Sequence, residues 1–225
     1  MNRLETIVSM VDKCNVVADI GTDHGYVAEM LLKNGICNKV IATDLNKGPL
    51  QRAIDHLSKE NLKDKCDFRL GSGLKVLKEG EADAIIIAGM GGDLISQILD
   101  DSKDVALKAS QLILQPMTAT ESLRKYLFEN GYEIIDEKVV KENHFYFIIK
   151  AKKGKPKKED EFYYEISRIL VEKQDETMYE YIEKVLNRNE KIIRSLEKTG
   201  KEEYNEKIER IREKNKRIRE LIKWI

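Results

Sequence analysis

Apolar positions in the first two thirds of the chain come in short runs separated by amphipathic stretches. The runs Val16–Ile20, Val40–Thr43, Asp67–Leu70, Ala84–Ala88 and Gln111–Leu114 read as strands. Between them Tyr26–Asn34, Pro49–Glu60, Gly73–Lys78 and Asp93–Leu99 read as helices. Strands joined by crossover helices predict a parallel sheet covered on both faces, an α/β fold. Leu4, Ile7, Val8 and Val11 share one face of a short helix ahead of the first strand. After Pro116, Glu121–Asn130 reads as a helix ended by Gly131. Tyr132–Asp136 and His144–Ala151 then read as an antiparallel pair closing the sheet edge.

Beyond Ala151 the pattern changes. Lys152, Lys153, Lys155, Lys157 and Lys158 crowd a stretch with Gly154 and Pro156, which reads as a basic linker over 152–159. No strand signal follows. Met178, Ile182, Val185, Ile192 and Leu196 recur at helical seam spacing, with Asn189 in one slot. Tyr204, Ile208, Ile211, Ile218, Leu221, Ile222 and Ile225 do the same, with Asn215 in one slot and Thr199-Gly200 between the two segments. This predicts an antiparallel coiled-coil hairpin over 160–225, its first helix starting near Asp160, after a sheet domain over 1–151.

The 225 residues carry 40 basic and 40 acidic side chains, so formal net charge is zero. The balance is uneven: residues 151–225 hold 21 Lys/Arg against 17 Asp/Glu, and the preceding 150 hold 19 against 23. A basic tail is compatible with a polyanionic partner, although most such runs are solvated faces. Cys14, Cys37 and Cys66 are odd in number and widely spaced, which fits a reducing compartment and neither a disulfide frame nor a metal site. No apolar run reaches a membrane span, and no secretory leader is legible, so a cytoplasmic location is expected.

Candidate chemistry concentrates after the first strand, in Asp19-Ile20-Gly21-Thr22-Asp23-His24-Gly25-Tyr26. In open α/β sheets ligands bind at the carboxyl ends of strands, where strand order reverses. Gly21 allows close backbone approach and Gly25 close helix packing. The spacing is G-x-x-x-G rather than the G-x-G-x-x-G of dinucleotide sites, and Asp19 and Asp23 would repel a pyrophosphate. They suit a cationic ligand. S-adenosylmethionine carries a sulfonium and an ammonium and no phosphate. Asp44, at the end of the second strand, is placed to accept ribose hydroxyls. Gly71-Ser72-Gly73-Leu74 follows the third strand, where adenine is expected, and Ala88-Gly89-Met90-Gly91-Gly92-Asp93 follows the fourth, where a methyl acceptor would approach. Each piece alone is compatible with a tight turn or a helix cap; their order after successive strands makes the case. His24 could equally cap its helix, and His56 and His144 read as surface and strand positions.

These motifs, with Ala42-Thr43-Asp44-Leu45-Asn46-Lys47-Gly48-Pro49-Leu50 and Leu112-Ile113-Leu114-Gln115-Pro116, resemble the bacterial tRNA (adenine-22 N1)-methyltransferase family. The resemblance implies a Rossmann-like class I methyltransferase sheet, mostly parallel with an antiparallel terminal hairpin, followed by the helical hairpin. It implies methylation of adenine N1 in the D-loop region of tRNA. It places Asp19, Gly21, Thr22, Asp23, His24 and Gly25 at the methionine end and Asp44 with Leu45 at the ribose. Gly71, Ser72, Gly73 and Leu74 would flank adenine, and Ala88, Gly89 and Met90 the methyl group. Tyr26, Gly91, Gly92, Gln115 and Pro116 become candidate contacts to the target base, and Lys153, Lys155, Lys157, Lys158, Arg212 and Arg217 candidate contacts to RNA phosphates.

Three departures stand out: Ser72 where the family often has an acid, Met117 where Asn often follows Gln-Pro, and Ala28-Glu29 where a Leu-Pro turn is frequent. No Asn-Pro-Pro-Tyr follows the fourth strand, which fits attack by a ring nitrogen rather than an exocyclic amine. Asp23 and Asp93 are the candidates for stabilising charge on the base. Two alternatives stay open: a small-molecule or protein methyltransferase whose hairpin is a dimerisation arm, and a non-catalytic adapter. No metal is expected; oligomeric state is open, with a monomer favoured.

Overall fold

The computed structural model describes residues 1–155 and 159–223. They form two compact units, Met1–Glu165 and Ile166–Ile225. Lys157, Lys158 and the seam position Ile225 lie outside the described residues.

The first unit is built on seven strands: β1 Val16–Ile20, β2 Lys39–Asp44, β3 Cys66–Leu70, β4 Ala84–Gly91, β5 Gln111–Thr118, β6 Tyr132–Lys141 and β7 Phe145–Lys153. Their order across the sheet is β3-β2-β1-β4-β5-β7-β6. The first five are parallel, while β7 runs antiparallel to both β5 and β6. The order turns back between β1 and β4, which puts the reversal at the tips of those two strands.

Successive residues on a strand point to opposite faces, so the near-continuous apolar strands feed two cores. Ala18 and Ile20 of β1 join Ile85, Ile87, Leu112 and Leu114 on one face. Helices α4 (Gly92–Asp101) and α6 (Thr120–Glu129) cover that face with Ile95, Leu99, Leu123 and Leu127, the short α5 (Lys103–Ala106) lying between them in sequence. Val17, Val40, Ala42, Ile86 and Ile113 fill the other face. There α1 (Arg3–Ser9) contributes Ile7 and Val8, α2 (Tyr26–Lys33) Leu31 and Leu32, and α3 (Lys47–Lys59) Leu57. Asn2 and Glu5 close a reciprocal capping box at the start of α1, which fixes Arg3 as its first helical residue. The three cysteines are free, and burial pushes Cys37 up to about 12 and Cys66 up to about 11.

Several elements differ from the sequence pattern. Gly73–Lys78 is only a 3-10 turn over Gly73–Val76. β5 runs on through Pro116, where its pairing with β4 shifts register, so the missing proline N–H falls at an irregular point of the ladder. No helix begins at Asp160. Short α7 (Phe162–Glu165) stays with the first unit, because Phe162 is buried and Nη1 of Arg124 donates to the Tyr164 carbonyl at 2.7 Å. Arg124 is itself 1 % exposed; it pairs with buried Glu137 at 2.7 Å and lies over the Phe147 ring.

The second unit contains α8 (Arg168–Glu172), α9 (Glu176–Glu197) and α10 (Asn205–Lys223). Gln174, at φ +54°, breaks α8 from α9. Met178, Ile182, Val185, Asn189 and Ile193 are the buried positions of α9, so the seam takes Ile193 in place of the expected Ile192. A straight helix drifts from a strict seven-residue repeat, which moves the stripe by one position late in the helix. On α10, Ile208, Asn215 and Ile218 are buried. The two interrupting asparagines face each other, with Nδ2 of Asn189 donating to Oδ1 of Asn215 at 2.8 Å.

Candidate active site at the strand reversal

β1 ends in Asp19-Ile20, and the chain leaves through Gly21 at φ +78°. A side chain there would be strained and would meet the Met90 methyl at 2.5 Å. The amides of Gly21 and Thr22 both donate to the Thr43 carbonyl of β2 at 2.9 Å, and that of Gly25 donates back to the Thr22 carbonyl. Those amides are already bonded, so this turn does not offer them to a phosphate. Gly25 lets α2 approach α3, since a Cβ would sit 3.1 Å from Leu57.

Asp19 is buried, and its Oδ2 accepts from the Thr22 hydroxyl at 2.7 Å. Burial raises its carboxyl to about 6; the Thr22 hydrogen bond opposes the rise and the nearby Asp44 charge adds to it. Asp23 is exposed in the left-handed region, held by Arg52 at 2.6 Å with His24 at 3.7 Å. Tyr26, 46 % exposed, stacks on His24 at 5.4 Å and meets His56 edge-on at 5.0 Å. His56, read from sequence as a surface residue, is fixed by Glu29 at 2.7 Å.

A cavity of about 460 Å³ opens here. It brings together Asp19, Gly21, Thr22, Asp23, His24, Tyr26, Ala88 and Gly89, as the sequence places them. It also takes in Leu4, Val27, Met117 and Arg3, none of which was singled out as a ligand contact. Arg3 comes from α1 and donates through Nη1 to Oε1 of Gln115 at 2.7 Å. The Gly89 amide donates to the same oxygen at 3.1 Å.

Other candidates lie elsewhere. Asp44 and Leu45 are at the tip of β2 and Gly71 follows β3; the Gly71 amide bonds the Asp44 carbonyl at 2.9 Å. Oδ1 of Asp44 accepts from the Asn46 amide, and Leu45 and Leu70 stand exposed beside it, an apolar shelf next to an acid. Ser72 precedes the turn, Gly73 packs toward Ile98, and Leu74 is 1 % exposed with its side chain in the core. Gly91 and Gly92 start α4; a Cβ on Gly92 would lie 2.2 Å from the Ala119 carbonyl, so that glycine is required for packing. Gln115 is fully buried, and its Nε2 donates to the Pro116 carbonyl, making it a support rather than a direct contact.

Asp93 lies outside the cavity, in an open groove with Ser122, Lys125 and Glu129 of α6, so the two acids proposed for catalysis do not converge. Lys153 and Lys155 are exposed. Arg212 and Arg217 are exposed on α10, where Arg212 pairs with Glu197 at 2.6 Å. Among the described residues no group of His, Cys, Asp and Glu could hold a metal, and no helix is long and apolar enough to cross a membrane.

The family model described as a methyltransferase domain matches residues 1–149. The chain belongs to that family. A tRNA (adenine(22)-N(1))-methyltransferase of Bacillus subtilis is 39% identical over 141 residues, 63% of this chain. The match spans 59% of that relative, less than two thirds of its length. Among solved structures, the B. subtilis m1A22 tRNA methyltransferase TrmK superposes with a TM-score of 0.87 at 29% identity, covering 98% of this chain and 97% of that one. M. capricolum TrmK in complex with the cofactor product S-adenosyl-homocysteine gives 0.82 at 25%, covering 99% and 97%.

Proposed function

We propose that this methyltransferase uses S-adenosylmethionine to methylate N1 of an adenine in tRNA, at position 22. The observation that carries the cofactor reading is the cavity at the strand reversal: it presents the buried Asp19 carboxylate while the Gly21 and Thr22 amides of the adjoining turn are bonded to Thr43. Such a site suits a cation and disfavours a phosphate-bearing nucleotide. Asp19 holds the ammonium end, and Asp44 takes the ribose hydroxyls through oxygen capacity left beyond its bond to Asn46. Leu45 and Leu70 flank the purine. The tRNA substrate rests on the TrmK likeness over nearly the whole chain and on the printed activity of the B. subtilis relative.

When bound, the cofactor supplies an electrophilic methyl group, which the N1 lone pair takes as the carbon–sulfur bond breaks and its electrons stay on sulfur. The ring nitrogen needs no base to expose its lone pair, so the protein's task is alignment. Tyr26, steadied by His24 and His56, offers a ring face at the cavity rim for an extruded base. Of the two acids considered, Asp23 lines the cavity and remains the group to meet positive charge on the base. Lys153 and Lys155 are exposed cations available to phosphates.

Incubating the protein with methyl-labelled S-adenosylmethionine and unmodified tRNA, then mapping the product nucleotide, tests the reading. Label is expected on adenine N1. Label only on an exocyclic amine, a small molecule or protein would overturn it.

A further inference from the structure

We infer that Met117 packs against the ring of the target base, facing Tyr26 across the slot that the base enters. The inference rests on the substrate reading above and names a residue which that reading leaves out.

Two of the large apolar side chains that stand exposed among the described residues line the same cavity: Tyr26 at 46 % and Met117 at 45 %. One exposed methionine is ordinary on any surface. Two apolar side chains facing one cavity mark a place where an apolar ligand surface is received. They reach it from separate elements, since Tyr26 opens α2 after β1 and Met117 lies near the end of β5. In the sheet β4 runs between β1 and β5, and the part of β4 that lines the cavity is Ala88 and Gly89. The floor between the two walls is therefore low. Two strand spacings amount to about 10 Å, which accommodates one flat ring with contacts of about 3.5–4 Å on each face.

Met117 is held by its sulfur. Nη1 of Arg3 and Nε2 of the fully buried Gln115 both approach that atom at 3.6 Å. The sulfur is the side chain's one polar atom, so what remains for the cavity is hydrocarbon. Tyr26 is braced on its own side by His24 and His56. Such a pair grips the faces of a ring and leaves its edge alone. That matches the chemistry, because the N1 lone pair lies in the ring plane and must stay unengaged while it is aimed at the methyl group.

The contact is isolated by comparing unmodified tRNA with the same tRNA made abasic at the target position, both titrated with the full chain loaded with S-adenosyl-homocysteine. Met117→Ala should weaken the unmodified tRNA about fivefold, the scale of a lost sulfur–ring contact, and leave the abasic tRNA unchanged. Met117→Leu, apolar and of similar volume, should bind the unmodified tRNA within about twofold of the native chain. Equal losses on both RNAs would place Met117 against another part of the tRNA, and no loss on either would leave it without a contact. Both results overturn the inference. A matching loss of S-adenosylmethionine affinity in Met117→Ala, read by calorimetry, would assign Met117 to supporting Arg3 and overturn it as well. A native chain that methylates no tRNA overturns the substrate reading, and this inference with it.

Discussion

Asp19 has a carboxyl raised to about 6 by burial, against an ordinary value of 3.8. Between those values the folded chain binds a proton that the unfolded chain has released, so stability falls as pH rises through the window and stays lower above it. The two-unit shift corresponds to about 3 kcal/mol at neutral pH. Asp19→Asn should therefore melt higher than the native chain at pH 7 to 8, with the difference shrinking below about pH 4. Thermal melts across pH without cofactor check this; equal melting at pH 8 would show that the acid carries no such strain. The same variant should bind S-adenosylmethionine more weakly, because the counter-charge proposed for its ammonium is gone. Asp19 was legible in sequence because strand, turn and acid are consecutive. Arg3 was not: its partners Gln115 and Glu142 are 112 and 139 residues away, and nothing near it in sequence marks a ligand contact.

At the scale of elements, the apolar periodicity placed all seven strands and the two long helices, since burial on one or both faces writes itself into the pattern. Boundaries moved where the deciding contact was not local. The expected helix from Asp160 is broken up because Arg124, some forty residues earlier, captures the Tyr164 carbonyl and because Gln174 takes a left-handed conformation that its residue type does not announce. The asparagines that interrupt the two seams were visible, and their mutual hydrogen bond explains them. A buried amide pair fixes register, because sliding either helix would leave both groups unpaired. Asn189→Leu should cost about 1–3 kcal/mol by stranding the Asn215 amide. Asn189→Leu combined with Asn215→Leu should recover that loss and bring alternative registers or association. Denaturant unfolding with sedimentation distinguishes these outcomes, and additive costs in the double variant would contradict the pairing.

For the whole molecule, the acidic first part and basic remainder leave no net charge to drive binding to RNA. Any tRNA affinity must come from local cations, and Arg212 is already neutralised by Glu197. The first unit has a second dependence, on an ion pair with no access to water. Arg124 and Glu137 join α6 to β6, and through Tyr164 they hold α7 as well. Arg124→Met should destabilise this unit by about 3–5 kcal/mol, because it removes one partner of a buried ion pair and the bond to the Tyr164 carbonyl. A cost under 1 kcal/mol in denaturant unfolding would show that the pair is dispensable.

The shared Thr43 carbonyl gives the cavity a property that neither strand has alone. Two amides from the β1 turn converge on the residue that precedes Asp44, so the tips of β1 and β2, proposed above to seat the two halves of an elongated ligand, are tied to each other directly. Methionine and adenosine offered as separate fragments should each bind feebly, while the joined molecule gains the advantage of a second contact made at high effective concentration.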